Sequence, residues 1–302
     1  VKVGIFYNSV NNITKHPHKF SAMNSFMRGV SHSDSVIEYY SSVFELDTSI
    51  DAGLILGYTT ENNLRKHIIT SLELNNIPRI YIDSNILNYS NSSQYWHRYS
   101  LNSVYPENGN YLLDNIDRNK WNDFSLYHNV KLKPWRKSGE HILILCQRSN
   151  GWNLFGNNHL EWIFTTVNDI RTYSDRPIII RLHPGDKYKN FIKVEINKTL
   201  KNVIVSTNEN IRQDLDNCWC TVGYNSTPNV ISIIEGIPNI IYDPINSWAS
   251  ECSGNDISSI ENPSMPDRDE WIHKIANIHW SNYEVGIGTL WNRIKNYISA
   301  AH

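Results

Sequence analysis

Apolar residues recur along this chain in two alternating rhythms. Short apolar runs bounded by polar turns, at residues 3–7, 36–40, 52–58 and 79–83, read as β-strands. Between them Phe20, Met23, Phe26, Met27 and Val30 recur at helical spacing, and residues 61–74 carry a second helical pattern. Strand, helix, strand, strand, helix, strand is the order of a three-layer α/β domain. The rhythm fades between residues 88 and 136 and restarts with strands at 141–146, 178–182, 203–206, 219–222 and 239–242. Helices are predicted there at 159–172, at 211–215 and from Pro228, and the tail adds helices from Asp267 and over 289–299. Two alternating halves in 302 residues predict two α/β domains, with the chain crossing near Pro134.

Aromatics crowd the faded stretch: Tyr95, Trp96, Tyr99, Tyr105, Tyr111, Trp121 and Trp135, beside Arg98, Lys131, Lys133, Arg136 and Lys137. Such a mixture fits either a surface that stacks on bases or sugars and neutralises phosphates, or an irregular core layer with a cationic rim. A formal net charge of −2 gives no global basic field to attract nucleic acid, though it leaves room for a local patch. Cys146, Cys218, Cys220 and Cys252 form no CxxC pair and read as buried fillers in a reducing compartment. No apolar run reaches membrane length and no signal segment opens the chain, so the expectation is a cytoplasmic protein that does not enter a membrane.

Ligands of open α/β sheets sit beyond the carboxyl ends of the strands. In the first half this singles out the loop 8–19, with His16, His18 and Lys19, and Asp83; solvated loops and turn chemistry fit the same residues. In the second half three polar segments follow strands. The first, Gln147-Arg148-Ser149-Asn150-Gly151-Trp152, lets backbone approach a ligand and offers a guanidinium. The second, His183-Pro184-Gly185-Asp186-Lys187, follows Arg181 and suits a diphosphate: Arg grips two oxygens, Lys supplies a point charge and His a directional donor. The third, Gly223-Tyr224-Asn225-Ser226-Thr227, leads into a helix with Thr227 as N-cap and Pro228 at its first position, where N–H groups are available to phosphate. Glu235, two turns on, offers a carboxylate to sugar hydroxyls. An ordinary strand-helix-strand unit with a solvated Glu fits that last segment equally well.

A strand ending in Arg-x-His-Pro, then a Ser/Thr turn and a helix closing on Glu-Gly-x-Pro, resembles the donor half of GT-B glycosyltransferases, including capsule-polysaccharide transferases. The segments RYSLNSVYPENGNYL, QRSNGW, DRPIIIRLHPGDK, YNSTPNVISIIEGIP and SSIENPSMPDRDEWIHKIANIHW, spanning Tyr99 to Trp280, are similar to tailed-phage glycosyltransferase-like proteins, some associated with sugar transfer to hydroxymethylated DNA pyrimidines. The resemblance implies a GT-B-like α/β fold of two Rossmann-like domains facing a cleft. Residues 1–135 would form the acceptor side, 136–285 the donor side, and the helix in 286–302 would return to the first domain. It further implies that Arg181, His183 and Lys187 contact the donor diphosphate and that Ser226 and Thr227 bind phosphate. Glu235 would hold ribose or sugar hydroxyls, while Gln147, Arg148, Asn150, Gly151, Tyr224 and Asn225 line the nucleotide pocket. The implied co-substrate is a nucleoside-diphosphate sugar, with UDP as the expected nucleotide, and no metal or other cofactor is expected. The acceptor would be double-stranded DNA carrying hydroxymethylpyrimidines, with Asp83 or His18 as base, unless retention of configuration removes the need for one. A glycan acceptor, and a binding module without turnover, are the other function classes. Sequence fixes neither the sugar nor the oligomeric state.

Overall fold

The computed structural model of this protein describes residues 1–9, 17–41, 45–87, 95–149, 151 and 154–300. His16 and Asn150, both singled out above, lie outside that set. Contacts divide the chain into two compact units, Val1–His128 with Ile272–His302, and Asn129–Trp271. The divisions fall at 128/129 and 271/272, where the sequence placed them at 135/136 and 285/286.

The first unit opens with β1 (Lys2–Phe6), α1 (Pro17–Ser31), β2 (Ser35–Tyr39), β3 (Ala52–Leu56), α2 (Leu64–Leu74) and β4 (Arg79–Asp83). β3 is buried at every position and β1 at four of five, as parallel strands covered on both faces must be. Then come β5 (Trp96–Leu101) and α3 (Lys120–His128), neither of which shows a clear period in the sequence. All six β5 residues are buried, so no polar alternation marks the strand. Trp96, Tyr99 and Tyr111 are 6%, 1% and 3% exposed, which settles the faded stretch in favour of the core-layer reading for these rings. Trp135, in the second unit, is likewise engaged: its Nε1 donates to the Pro266 carbonyl at 2.8 Å and the Arg268 guanidinium lies 4.0 Å from its ring.

The second unit contains β6 (His141–Leu145), α4 (His159–Tyr173), β7 (Ile178–Arg181), α5 (Lys189–Thr199), β8 (Val203–Val205), α6 (Ile211–Leu215), β9 (Cys218–Gly223), α7 (Pro228–Ile234) and β10 (Asn239–Ile241). Its five strands are all parallel, in the order β10-β9-β6-β7-β8. From β6 the chain winds outward to β8, then returns to β9 and winds the other way; this is a Rossmann-like sheet with its reversal between β6 and β9. Ile142, Ile144, Ile178 and Ile180 face Trp162, Ile163, Val167 and Ile170 of α4 and Ile192 and Ile196 of α5. On the opposite face Asn239 donates to the Thr221 hydroxyl at 2.7 Å and to Oδ1 of Asn229 on α7 at 3.1 Å. Both faces are therefore covered, and the α/β class expected from the sequence is the one observed.

α8 (Asp269–Asn277) contains the second division, and β11 (His279–Ser281), α9 (Asn282–Gly286) and α10 (Thr289–Ala300) complete the first unit. β11 pairs antiparallel with β5, giving a mixed six-stranded sheet, β11-β5-β4-β3-β1-β2, whose first four strands in sequence are parallel. α9 crosses α1 at Gly29, where a Cβ would stand 2.1 Å from the Val285 carbonyl oxygen. α10 is pinned by the buried Asp34, whose Oδ2 accepts from Trp291 Nε1 and Lys295 Nζ, each at 2.8 Å. Among the described residues no helix is long and apolar enough to cross a membrane.

Buried neutral histidines stiffen this unit. His279 accepts from the Ile86 amide at 3.1 Å and donates to the Ile275 carbonyl at 2.6 Å; complete burial holds its pKa well below the ordinary value. Burial likewise pushes His128 down to about 4, its Nε2 accepting from Asn85 at 3.0 Å. The unfolded chain takes up these protons first, so the stabilisation is complete above the ordinary value of 6.5 and is lost as pH falls toward 4. Urea unfolding at pH 7 and pH 4.5 checks this: His128→Gln should lose about 2 kcal/mol less than the wild type over that interval, at ~1.4 kcal/mol per pH unit. Equal losses in the two proteins would show that His128 does not resist protonation in the fold.

Candidate functional site

Side by side, β6, β7 and β9 bring the three polar segments of the second unit to one sheet edge, at the point where the strand order reverses. Bonds between the loops hold them there. Gln147, buried at the end of β6, accepts from the Asn225 amide at 3.4 Å, and the Asn225 side chain donates to Asp243, just past β10, at 2.9 Å. Ser149 donates through its amide at 2.8 Å and its hydroxyl at 2.7 Å to Oδ2 of Asp186 in the turn after β7. The other Asp186 oxygen accepts from the Tyr188 amide at 2.9 Å. Burial alone would raise the Asp186 pKa, but the Ser149 and Tyr188 donors outweigh it and hold the carboxyl below its ordinary range.

That bracket presents two cationic or donor groups. The Arg148 guanidinium lies over Gly185, where a Cβ would be 2.9 Å from Nη2, so glycine leaves room for it. His183 accepts from the Gly185 amide at Nδ1, 3.0 Å away, which puts the proton of the neutral ring on Nε2 and makes that nitrogen a donor. Burial, then the neighbouring Arg148 charge, lower the His183 pKa, so the neutral ring is the form present at neutral pH. Lys187 is exposed beside them.

Across the reversal point, Tyr224 accepts from Asn157 at its hydroxyl, 2.8 Å away, and meets Trp162 edge-on at 6.1 Å. Gly223, the last residue of β9, makes room for α7: a Cβ would stand 2.4 Å from the side-chain Nδ2 of Asn229. Ser226 is buried at 7% exposure. Pro228 does take the first helical position, but Thr227 has helical dihedrals (φ −59, ψ −31) and its side chain makes no capping bond. The Asn229 and Val230 amides, expected to be available to phosphate, donate instead to the Ser226 and Thr227 carbonyls at 3.1 and 3.0 Å. Gly151 closes the first loop, its amide donating to the Arg148 carbonyl at 3.1 Å.

Two residues assigned to the donor from sequence have other employment. Arg181 pairs with the buried Asp214 and donates to the carbonyls of Asn208 at 2.9 Å and Glu209 at 2.8 Å, bracing the loop after β8. Asp214 also accepts from Ser206 and Asn208. Glu235 caps the far end of α7, about 10 Å of helix from Pro228, on the side where the chain enters β10 rather than where β9 leaves the sheet. There it pairs with Lys133 and, at 3.3 Å, with Arg212. A helix running against its strands carries its end to the opposite edge, so Glu235 does not join the cluster. The spacing DxD occurs twice, at Asp214-Leu215-Asp216 and Asp267-Arg268-Asp269; the first has its leading carboxylate committed to Arg181.

In the first unit, Asp83 ends β4 and pairs with Arg98 of β5, while its Oδ1 accepts from the Ser84 amide at 2.7 Å. His18 lies in the first turn of α1. His97, missed in the sequence, sits close enough to feel both: burial first, then His18, push its pKa down to about 4, with Asp83 opposing. Sequence also missed Asp186 as an organiser, and His159, the first residue of α4, whose Nδ1 is 3.1 Å from the Ser149 hydroxyl and 4.0 Å from Asp186. An Asp after Pro-Gly reads as turn chemistry, so only the register of β6 on β7 reveals its partner.

No protein-family model matches this sequence, and no curated protein sequence matches it. Two solved structures of KpsC from Thermosulfurimonas dismutans are similar in fold. One is described as a beta Kdo 2,4 transferase, with 13% identity and a TM-score of 0.57 over 92% of this chain and 89% of that one. The other is described as a beta Kdo 2,7 transferase, with 12% identity and a TM-score of 0.57 over 96% of this chain and 100% of that one. Likeness at this identity is one of architecture: two Rossmann-like α/β units in the GT-B manner.

Arg148 and Arg181 are thus expected to separate in experiment. If the cluster holds a nucleoside diphosphate, Arg148→Ala should leave the melting temperature unchanged and weaken UDP binding at least tenfold by calorimetry. Arg181→Ala should cost about 3 kcal/mol of stability, because it strands a buried carboxylate. A reversed pattern would return the diphosphate role to Arg181.

Proposed function

We propose that this protein is a glycosyltransferase that takes a sugar from a nucleoside-diphosphate donor, with UDP as the nucleotide to test first. One observation carries the reading: Arg148, the donor face of His183, Asn225 and Ser226 share the edge where the sheet order reverses. There Arg148 and Lys187 would neutralise the departing diphosphate, and Nε2–H of His183 would donate to one of its oxygens. Charge that develops on a leaving group is stabilised by groups already oriented for it, and this site is oriented by the Asp186 bracket. The fold shared with two structures described as Kdo transferases supports sugar transfer as the reaction class. If configuration inverts, Asp83, which pairs with Arg98, or His18 would accept the acceptor's proton.

The acceptor we propose is the hydroxymethyl group of a modified pyrimidine in DNA, on the strength of the motifs from Tyr99 to Trp280. A second reading, a glycan acceptor, is favoured by the burial of Trp96, Tyr99 and Tyr111, which takes three of the rings of that stretch out of reach of bases. Incubating the protein with a panel of sugar nucleotides and DNA containing hydroxymethylcytosine or hydroxymethyluracil, then digesting to nucleosides, decides between them. A sugar's added mass on the modified nucleoside is the expected result. Transfer only to oligosaccharides would favour the glycan reading, and no transfer from any donor to either acceptor would sink the enzyme. His183→Ala should reduce UDP affinity several-fold while leaving folding intact; unchanged affinity would count against its role.

A further inference from the structure

Helix α5 carries lysines and exposed apolar side chains on its outer side. Ile192 and Ile196 fill the inner side of this helix, at 2% and 1% exposure. Outward stand Phe191, 60% exposed, and Val194, 50% exposed, with Tyr188 at 50% just before the helix. The fold does not require those rings in water, because the inner face is complete without them. Between residues 187 and 201 five lysines, Lys187, Lys189, Lys193, Lys198 and Lys201, stand against one acid, Glu195, in a chain whose net charge is −2. Glu195 pairs with Lys198 at 2.9 Å in an exposed i,i+3 contact, which water screens.

Placement gives this face a meaning. α5 follows directly on the turn 183–187, so its first residues adjoin the edge that carries His183 and Arg148, and the helix runs away from that edge against the strands. We infer that α5 binds the sugar-phosphate backbone of the acceptor strand and leads it to the donor site, a conclusion that rests on the DNA-acceptor reading above. Lysine ammonium groups match phosphates as point charges, and the exposed rings of Tyr188 and Phe191, the latter on the same flank of the helix as Lys198, suit bases, whatever the sequence. A lipid surface suits the face less well. Asn190, Asn197 and Lys198 interrupt its outer apolar residues, and an interfacial helix needs a continuous apolar side.

The test is fluorescence anisotropy with short labelled DNA, single-stranded and duplex, over a salt series. Wild-type protein should bind with an affinity that falls steeply with salt. Changing Lys193→Glu, Lys198→Glu and Lys201→Glu together should weaken binding at least tenfold and reduce the log–log salt slope by about 3. Phe191→Ala should weaken single-strand binding several-fold, and circular dichroism should show both variants folded. Unchanged DNA affinity in the triple variant overturns the inference, as does binding to anionic vesicles or acidic polysaccharide without binding to DNA. A parallel assay of sugar transfer to the free hydroxymethylated nucleoside keeps the two ideas apart. Transfer intact with no DNA binding through α5 removes the surface alone, whereas lysine-dependent DNA binding without any transfer upholds the surface and removes the enzyme.

Discussion

The Asp186 carboxylate is the constraint on which the proposed site depends. Two loops that follow neighbouring parallel strands have no backbone ladder to join them, since pairing ends with β6 and β7. Asp186 supplies the missing connection by accepting from Ser149 twice and from Tyr188 once. Bonds to an ionised acceptor are worth about 2 kcal/mol each, enough to fix loop geometry against the entropy of a few residues. With the loops fixed, Arg148 falls over Gly185 and His183 is left with its proton on Nε2. Folding thus commits one buried carboxylate to arrangement, while Arg148 and Lys187 stay exposed.

The same logic explains why Arg181 and Glu235 serve the scaffold. Each is at or near the end of an element where a loop must be held, and each has opposite charge within reach: Asp214 for Arg181, Lys133 and Arg212 for Glu235. A charge largely taken out of water needs such a partner, and once paired it has fewer bonds to offer a ligand. Arg148, by contrast, is exposed and rests on a glycine.

Much of the architecture was legible in the sequence because parallel strands announce themselves as apolar runs and the helices between them keep their period. β6, β7, β9 and α4 lie within a residue of their expected limits. β5 was obscured because burial on both faces erased alternation, and α5 because only Ile192 and Ile196 face inward. The loop cluster was legible at the level of strand ends, where the structure brings Gln147, Arg148, His183 and Asn225 together. Roles within it were not, because a guanidinium in a motif looks the same whether it faces phosphate or a buried aspartate. Glu235 shows the limit of motif spacing: two turns of helix carry a side chain to the other edge of the sheet. Asp186 and His97 depend on contacts between segments far apart in sequence, and no local pattern encodes those.

Hydrogen–deuterium exchange with and without UDP tests the central claim most directly, because it reads every loop of the protein at once. Slower exchange on adding UDP is expected in the peptides covering 147–151, 183–187 and 223–227 together, with little change around Glu235. Protection confined to other surfaces, or none at saturating nucleotide, would contradict a donor site at the reversal point of the second sheet.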